Sequence, residues 1–288
     1  MDVCVVTGGG SGIGRAVAEA FGKEVVTVIT GRSENKLRNV QEEMNAAGYH
    51  VEVKACDIAK REEVKALAAY AAGFGRVTKV VNCAGVSGTM ADPETIIRIN
   101  CLGTVYINQE FFRVMDGGCI VDISSQGGYM LPGLMTPSDK VYSLILEDEE
   151  AFVRKCTKKA MVMRKPELNG HMAYMLSKNF VRWYAKKCAY KYAAEKGLRV
   201  VSVSPGFVKT EMTDKEPVEA SAIVLSYSGL NRPCRPEEMA FLIASIADER
   251  CGYLSGVDIL CDAGCMANGY GMMTATKKYD GHGRKEKW

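Results

Sequence analysis

One tyrosine and one lysine stand four residues apart in the segment Tyr174-Met175-Leu176-Ser177-Lys178. On a helix this spacing places both side chains on the same face. A nearby ammonium group stabilises a phenolate and lowers the pKa of a phenol from about 10 towards neutrality. Such a tyrosine is a usable general acid and base for an alcohol–ketone pair. The same spacing is common in surface pairs on helices, so the chemical interpretation depends on what surrounds it.

A glycine-rich segment near the start of the chain supplies that context. The sequence TGGGSGIG over residues 7–14 directly follows the apolar run 3–6. A strand before it and a helix after it would direct the unpaired N–H groups of the helix towards a pyrophosphate. The pattern predicts a dinucleotide site, with a plain tight turn as the alternative. The predicted contacts in this segment are Gly8, Ser11, Gly12, Ile13 and Gly14.

The end of the second apolar run bears on the choice of cofactor. Enzymes that use NAD usually place a carboxylate there, which accepts a hydrogen bond from the ribose 2′-hydroxyl. This chain has Thr30-Gly31-Arg32-Ser33 instead, with a cation and no carboxylate. Arg32 and Ser33 therefore favour NADP(H), because an arginine binds a 2′-phosphate well. Ser11 adds no second positive charge, so NAD(H), with Arg32 as a solvated side chain, is the alternative.

Short polar segments follow the next two apolar runs. Asp57 and Ile58 come after one run, and Asn82, Ala84 and Gly85 come at the end of the other. Asp57 is placed to accept a hydrogen bond from an adenine amino group or to cap the helix that follows. Small residues at 84 and 85 leave room for a ribose. We therefore include all five residues in the predicted cofactor site.

These candidate residues need a scaffold, and a series of apolar runs predicts one. The runs are mostly continuous and rich in Val and Ile, as expected for strands buried on both faces of a parallel sheet. Amphipathic helical patterns separate them, for example over residues 60–73. The alternation predicts right-handed βαβ units and a seven-stranded, doubly wound Rossmann-type α/β fold. The predicted strands are 3–6, 25–30, 51–56, 79–81, 119–123, 198–203 and 257–261.

Two segments interrupt this alternation. Residues of about 127–169 are too many for a plain loop and carry an apolar helical stripe, which predicts an inserted helical element. The tail, about 266–288, is rich in Gly and Lys, and we expect its end to be frayed. We expect the whole chain, 1–288, to form one domain.

Together these motifs make the chain resemble the classical short-chain dehydrogenase/reductase family over essentially residues 2–265. The resemblance implies reversible hydride transfer between NAD(P)(H) and an alcohol or ketone. The motifs that carry it are residues 7–14, Asp57, residues 82–85, Asn100, Ser124-Ser125, Tyr174 with Lys178, and Ser204 to Thr210.

The resemblance also implies a role for each site residue. Tyr174 would exchange the proton, while Lys178 would assist it and bind the nicotinamide ribose. Ser125 would hydrogen-bond the substrate oxygen, and Asn100 would hold a water that links Lys178 to solvent. Local helix capping or kink stabilisation is the alternative for Asn100, and helix capping is the alternative for Thr210. The remaining implied cofactor contacts are Pro205, Gly206, Val208 and Thr210.

One departure from the family is the distance between Ser125 and Tyr174, which lie 49 residues apart, far more than usual. This insertion resembles that of the bacterial 3α-hydroxysteroid dehydrogenase/carbonyl reductases, and monomeric animal carbonyl reductases also have one. An apolar stripe that includes Phe152 must be buried somewhere. We expect it to form part of a homodimer interface. The alternative is that it packs within its own chain and blocks assembly.

The substrate is expected to be bulky and hydrophobic, because the variable segment after Thr210 is apolar and methionine-rich. A steroid or bile acid is the first prediction, and a small aliphatic or quinone carbonyl is the second. A cofactor-binding regulatory protein is a further alternative, since a fold does not fix function. The predicted lining residues are Met130, Leu131, Leu134, Met135, Met212, Ile223, Val224, Leu225, Tyr227 and Leu230.

Composition excludes several other classes. The net charge of +3 on 288 residues gives no electrostatic reason to expect a nucleic-acid partner. No apolar run reaches the roughly 18 residues that span a bilayer, and the N-terminus does not read as a signal peptide. The eleven cysteines form no Cys-x-x-Cys pair, and there are only three histidines. This argues against a disulfide framework and a metal site, and it favours a reducing, cytoplasmic location.

Overall fold

Seven parallel strands form the centre of the molecule in the computed structural model, which describes residues 1–163, 165–215 and 217–275. Their order in the sheet is β3-β2-β1-β4-β5-β6-β7. The chain therefore adds β2 and β3 on one side of β1 and the four later strands on the other side. This confirms the predicted doubly wound Rossmann-type fold. The strands are β1 Asp2–Thr7, β2 Val26–Gly31, β3 His50–Ala55, β4 Arg76–Asn82, β5 Cys119–Ile123, β6 Arg199–Pro205 and β7 Asp258–Cys261.

Helices cover both faces of this sheet. The longest, α8, spans 28 residues and carries the Tyr174–Lys178 pair. A π-helical turn, Arg98–Leu102, joins α4 to α5. The described helices are α1 Gly12–Ala20, α2 Glu34–Ala46, α3 Arg61–Ala72, α4 Pro93–Ile97, α5 Gly103–Val114, α6 Asp139–Ser143, α7 Glu149–Ala160, α8 Asn169–Lys196, α9 Val218–Tyr227, α10 Pro236–Ala247 and α11 Met272–Ala275.

The central strands are buried on both faces, which explains their continuous apolar sequences. The side chains of Val3, Val5 and Val6 in β1 all lie in the core, and they divide between the two layers. Val5 packs with α3 and α5 on one face, whereas Val6 packs with α1 and α10 on the other. A strand with water on one face would alternate apolar and polar residues, and β1 does not.

The insertion forms helices α6 and α7, and its apolar stripe packs inside its own chain. Phe152 is 0% exposed, and its ring lies 5.1 Å from that of Phe180 on α8. Glu150 forms a bidentate ion pair with Arg98 at 2.8 and 2.7 Å. The prediction that this stripe forms a dimer interface is therefore wrong. Periodicity shows that a helix face must be buried, but it does not show against which surface.

The first part of the tail is ordered against the rest of the molecule. Tyr270 is buried with Ile223 and Cys265, and the short helix α11 follows it. Residues 276–288, for which we expected a frayed end, lie outside the described residues.

Candidate active site

Helix α8 holds Tyr174 and Lys178 at the carboxyl end of the sheet. The Lys178 Nζ atom lies 5.8 Å from the centroid of the Tyr174 ring. It also donates a hydrogen bond of 2.8 Å to the carbonyl oxygen of Ile123, the last residue of β5. Lys178 is only 7% exposed, and this burial lowers its pKa to about 8. The pair therefore combines a buried, positioned lysine with a half-buried tyrosine, and it is not a surface pair.

Ser125 lies beside this pair because the chain after β5 turns tightly against α8. The Ser125 Oγ atom accepts a hydrogen bond of 3.1 Å from the Gly127 N–H, and Ser124 Oγ donates one of 2.7 Å to the Lys178 carbonyl. A methyl group at Gly127 would lie 3.3 Å from the Tyr174 ring and 3.5 Å from Ser125 Oγ. The absence of a side chain at Gly127 thus lets the serine and tyrosine approach each other.

Asn100 lies in the π-helical turn and clamps the chain that follows β4. Its side-chain amide donates 3.0 Å hydrogen bonds to the Val86 carbonyl and to Ser177 Oγ, and its Oδ1 accepts one from the Val86 N–H. A side chain at Gly85 would meet Asn100 Oδ1 at 3.0 Å and Lys178 Nζ at 3.5 Å. These bonds fit the kink-stabilising role, and the relay of protons through a water stays a prediction.

The glycine-rich segment forms a cradle at the N-terminus of α1. Gly8 and Gly12 have φ angles of +68° and +53°, which glycine adopts without strain. A Cβ atom at Gly14 would lie 2.3 Å from the Gly8 carbonyl oxygen. Ser11 occupies the N-cap position of α1, but its side chain makes no capping hydrogen bond. The Thr210 side chain lies next to Gly12, 3.1 Å from the place that a Cβ atom would occupy. The exposed N–H groups and the close backbone approach fit the pyrophosphate of a dinucleotide.

The residues predicted to contact the adenosine follow strands β2 and β3. Arg32 and Ser33 follow β2 and are both exposed, as a 2′-phosphate site requires. Asp57 Oδ1 accepts a hydrogen bond of 3.1 Å from the Ala59 N–H, whereas Lys60 occupies the N-cap position of α3 and makes no side-chain capping bond. The capping alternative for Asp57 is therefore wrong. The Ile58 side chain is buried in the core, so only its backbone is available to a cofactor.

Asn82 and Ala84 belong to a hydrogen-bond network at the ends of β1 and β4. Thr7 Oγ1 donates to Asn82 Oδ1 at 2.8 Å and accepts from the Ala84 N–H at 2.9 Å. Asn82 also donates to Asp122 Oδ1 at 3.2 Å. Asn82 thus fixes the floor of the cofactor cleft, and its side chain is fully engaged with protein atoms.

Asp122 is a buried carboxylate that the sequence analysis missed. Asn108 donates to both of its oxygens, at 3.0 and 2.9 Å, in addition to Asn82. Burial raises the pKa of Asp122 to about 7, despite these donors and the nearby charge of Lys178. A single acidic residue inside the apolar strand 119–123 was the signal that could have identified it.

The nicotinamide side of the cleft is formed by the segment after β6. The Gly206 N–H donates to the Cys261 carbonyl at 2.8 Å, which ties Pro205-Gly206 to β7. Thr213 Oγ1 accepts from the Thr210 N–H at 2.9 Å and donates to the Val208 carbonyl at 2.8 Å. Residues 208–213 are therefore held as one turn, placed so that Thr210 lies against the glycine cradle.

A cavity of about 350 Å³ adjoins Ser125 and Tyr174. Met130, Met212 and Val224 line it, in agreement with the prediction, whereas Leu131 is in the core and Leu134 is 94% exposed. Leu225 and Leu230 line a smaller neighbouring cavity of about 220 Å³. The lining residues that the sequence did not indicate are Ser87, Gly88, Gln126, Gly127, Met163, Leu168, His171, Met175, Phe207, Thr213, Ala220, Ser221, Tyr270 and Met272.

The described residues contain no group of three or more His, Cys, Asp or Glu side chains suited to a metal ion. Within the same part of the chain, no helix has the length and apolar character needed to cross a membrane. All eleven cysteines are free thiols.

Two family profiles match the chain in succession. The profile described as short chain dehydrogenase matches residues 2–137, and one described as enoyl-(acyl carrier protein) reductase matches residues 157–266. Together they include the glycine cradle, Ser125 and the Tyr174–Lys178 pair, and they leave out only part of the insertion and the tail.

Curated relatives and solved structures match along nearly the whole chain. The short-chain dehydrogenase/reductase bsc3 of Alternaria brassicicola is 28% identical over 267 residues, which cover 90% of this chain and 94% of the relative. The 3-oxoacyl-[acyl-carrier-protein] reductase FabG of Thermotoga maritima is 28% identical over 274 residues, which cover 91% and 96%.

Among solved structures, a variant of actinorhodin polyketide ketoreductase with NADPH has the same fold. Its TM-score is 0.72 at 22% identity, and the match covers 93% of this chain and 98% of that one. The profiles, the relatives and the arrangement of the cleft agree: this chain belongs to the short-chain dehydrogenase/reductase family, whose members are oxidoreductases that use a nicotinamide cofactor.

Proposed function

We propose that the protein interconverts a secondary alcohol and a ketone on a bulky hydrophobic substrate, with NADP(H) as cofactor. The observation that carries this proposal is the cavity beside Ser125 and Tyr174. Its wall includes five methionines, which adapt to irregular apolar surfaces. A steroid or bile acid is the substrate class that we favour. The methionines are Met130, Met163, Met175, Met212 and Met272.

The proposed catalytic groups act on the substrate oxygen. In the direction of reduction, Tyr174 donates its phenolic proton to the carbonyl oxygen, and in oxidation it takes that proton back. Ser125 Oγ donates a hydrogen bond to the same oxygen and orients it. The ammonium group of Lys178 stabilises the phenolate that Tyr174 becomes. The hydride is the part of the chemistry that a bound nicotinamide supplies.

Arg32 and the glycine cradle support the choice of cofactor. The cradle accommodates a pyrophosphate, and Arg32 and Ser33 offer an exposed cation and a hydroxyl at the end of β2. No carboxylate stands there to repel a 2′-phosphate. NAD(H) is the alternative, because Arg32 can also stack on adenine without binding a 2′-phosphate.

The cofactor proposal is tested by the ratio of kcat/KM for NADPH to that for NADH. We expect wild-type protein to favour NADPH, and Arg32→Asp to weaken NADPH while leaving or improving NADH, because the carboxylate repels the phosphate and accepts from a 2′-hydroxyl. A lower wild-type KM for NADH than for NADPH would contradict the proposal before any variant is made.

The substrate proposal is tested with a panel of steroid, fused-ring, aliphatic and quinone carbonyls. We expect kcat/KM to rise with apolar bulk, since a methionine-lined wall gains contact with each added ring. A preference for small aliphatic or quinone carbonyls would favour a general carbonyl reductase instead. Binding of NADPH without oxidation across the panel would favour a regulatory protein.

We further propose a homodimer that forms through α10 rather than through the insertion. Phe241 on α10 is 75% exposed, and α10 itself packs mainly on α1. An exposed aromatic side chain on an outer helix suits an isologous contact with a second copy of the chain. Sedimentation at low micromolar concentration should give twice the 31.4 kDa of one chain, and Phe241→Glu should restore the monomer. A wild-type monomer would contradict this.

Two broader proposals concern the chain as a whole. We propose that it folds as one domain, because the insertion and the sheet share one hydrophobic core. A single unfolding transition by two spectroscopic probes would support this, and two separated transitions would contradict it. The eleven free thiols support a cytoplasmic location, because a reducing compartment keeps thiols unpaired.

A further inference from the structure

Gln126 directly follows Ser125 and carries a buried amide that is not fully bonded. The residue is 8% exposed, and its Oε1 atom has no hydrogen-bond partner among the described residues. Buried amide oxygens are almost always paired, because an unpaired one loses its hydration without compensation. An orphaned oxygen next to a proposed catalytic serine therefore needs an explanation.

The position of Gln126 suggests one. It lines the cavity that contains Ser125 and Tyr174, and it also lines the smaller cavity of about 220 Å³. Gly206, Phe207 and Val224 line both spaces as well, so Gln126 stands where the two cavities meet. A substrate that extends from one into the other must pass this amide.

The backbone of Gln126 is held firmly in place. It begins a 3₁₀ turn, Gln126–Tyr129, whose Gly128 carbonyl accepts hydrogen bonds of 2.9 Å from Asn179 and from Arg182. Both donors belong to α8, the helix that carries Tyr174. The backbone that carries the Gln126 side chain is therefore fixed relative to the reacting group, as a recognition residue requires.

We propose that Gln126 is a specificity-determining residue that binds a hydroxyl group on the substrate skeleton. A hydroxyl both donates and accepts, so it can pair with either end of the amide, and the terminal torsion of glutamine rotates easily. Gln126 directly follows Ser125 and lines the same cavity, so this hydroxyl lies on the part of the substrate skeleton that the cavity holds beside the reacting ketone. The inference rests on the proposed function and narrows its substrate to a fused-ring hydroxyketone.

The test uses 1-tetralone and its 5-, 6- and 7-hydroxy derivatives, with NADPH as cofactor. We expect wild-type protein to favour at least one hydroxylated isomer by on the order of 10-fold or more in kcat/KM, because a site built around a buried polar group discriminates against the analogue that lacks its partner. Gln126→Met should abolish this preference mainly through the KM of the hydroxylated compound, with the Kd for NADPH nearly unchanged.

Two further variants control this test. Gln126→Glu keeps the shape and an acceptor, so it should keep the preference. If Gln126→Met does not fold, Gln126→Leu replaces it, because leucine also lacks a polar atom and should likewise abolish the preference. Met163→Leu changes the apolar wall and should alter all four ketones by the same factor. Equal activity of wild type on every isomer, or a preference that survives Gln126→Met, would overturn the assignment.

The design separates failure of this inference from failure of the proposed function. If no tetralone is turned over, calorimetric binding of the same compounds to the NADP⁺ complex decides the role of Gln126. Tighter binding of one hydroxylated isomer, lost in Gln126→Met, would keep the recognition site while the proposed function fails. Equal binding, or no binding, of all four would overturn the role of Gln126.

Discussion

Backbone contacts shape the cofactor side of the cleft, whereas flexible side chains shape the substrate side. At the cofactor side, a Cβ atom on Gly14 would collide with the Gly8 carbonyl, and one on Gly8 would lie 3.1 Å from the Ala84 nitrogen. At the substrate side, methionines form much of the wall, together with residues at both ends of the insertion and Tyr270 near the start of the tail. The cofactor side is therefore fixed by the fold, whereas the substrate side can be altered residue by residue.

The insertion gives the largest expected effect, because it is part of the core rather than an appendage. Phe152→Ala removes a fully buried ring and should lower the free energy of unfolding by about 3–5 kcal/mol. In the folded protein, the Kd for NADPH should stay within about threefold, since the cofactor side is built separately. Urea unfolding measures the first value, and fluorescence titration measures the second.

Leu134→Ala is the matched control for this change. Leu134 is an exposed apolar residue of the same insertion, and its truncation should change stability by less than about 0.5 kcal/mol. A loss below about 1 kcal/mol for Phe152→Ala would show that the stripe is not packed as described, and would reopen the dimer interface that the sequence suggested.

The buried carboxyl group of Asp122, which accepts a hydrogen bond from Asn82 in the floor of the cofactor cleft, makes stability depend on pH. Its pKa is raised from 3.8 to about 7, so the folded state holds its proton more tightly than the unfolded state. This contribution to the free energy of unfolding is fully present below pH 3.8, the pKa of the carboxyl group in the unfolded state, and it is lost as the pH rises through about 7. At about 1.36 kcal/mol per pKa unit, the full change approaches about 4 kcal/mol.

Asp122→Asn removes this ionisation while keeping the shape. The free energy of unfolding of wild type, relative to the variant, should therefore fall by up to about 4 kcal/mol between pH 4 and pH 8. The new amide can donate to Asn108 Oδ1, which has no partner among the described residues. The exposed Asp116→Asn is the control, and a difference independent of pH would refute the burial argument.

Gly14 tests the rigidity of the cofactor side. Gly14→Ala forces two backbone segments apart, because its Cβ would lie 2.3 Å from the Gly8 carbonyl oxygen. We expect about 1–3 kcal/mol of strain and a Kd for NADPH that rises on the order of 10-fold, equally for every ketone tested. Gly10→Ala is the control in the same loop, since its nearest neighbour would be 3.6 Å away. Equal Kd values for both variants would contradict this account.

Sequence pattern predicted the parts of the molecule that depend on local order along the chain. Continuous Val-rich runs indicated the strands, and the spacing of Tyr174 and Lys178 indicated their common helix face. It did not predict that Phe152 would meet Phe180, because the choice of a packing partner is a long-range matter. Tyr270 and Met272 reach the cavity from the tail for the same reason.

The site itself was predictable to a similar extent. Ser125, Tyr174 and Lys178 lie together at one cleft, but the hydrogen-bond partners of the other motif residues did not follow from residue type and spacing. Asn82 is engaged with Thr7 and Asp122, and the Ile58 side chain points into the core. Motifs identify positions in a site, whereas the direction of each side chain follows from tertiary packing.

The proposed reaction depends on Tyr174, which exchanges the proton with the substrate oxygen. Its most direct test is kcat of Tyr174→Phe with the best ketone of the panel, together with the Kd for NADPH. We expect kcat to fall on the order of 100-fold or more while the Kd stays within about threefold, because only the hydroxyl is lost. Tyr190→Phe, an exposed tyrosine on the same helix, is the control and should match wild type. Near-native turnover by Tyr174→Phe would contradict the account.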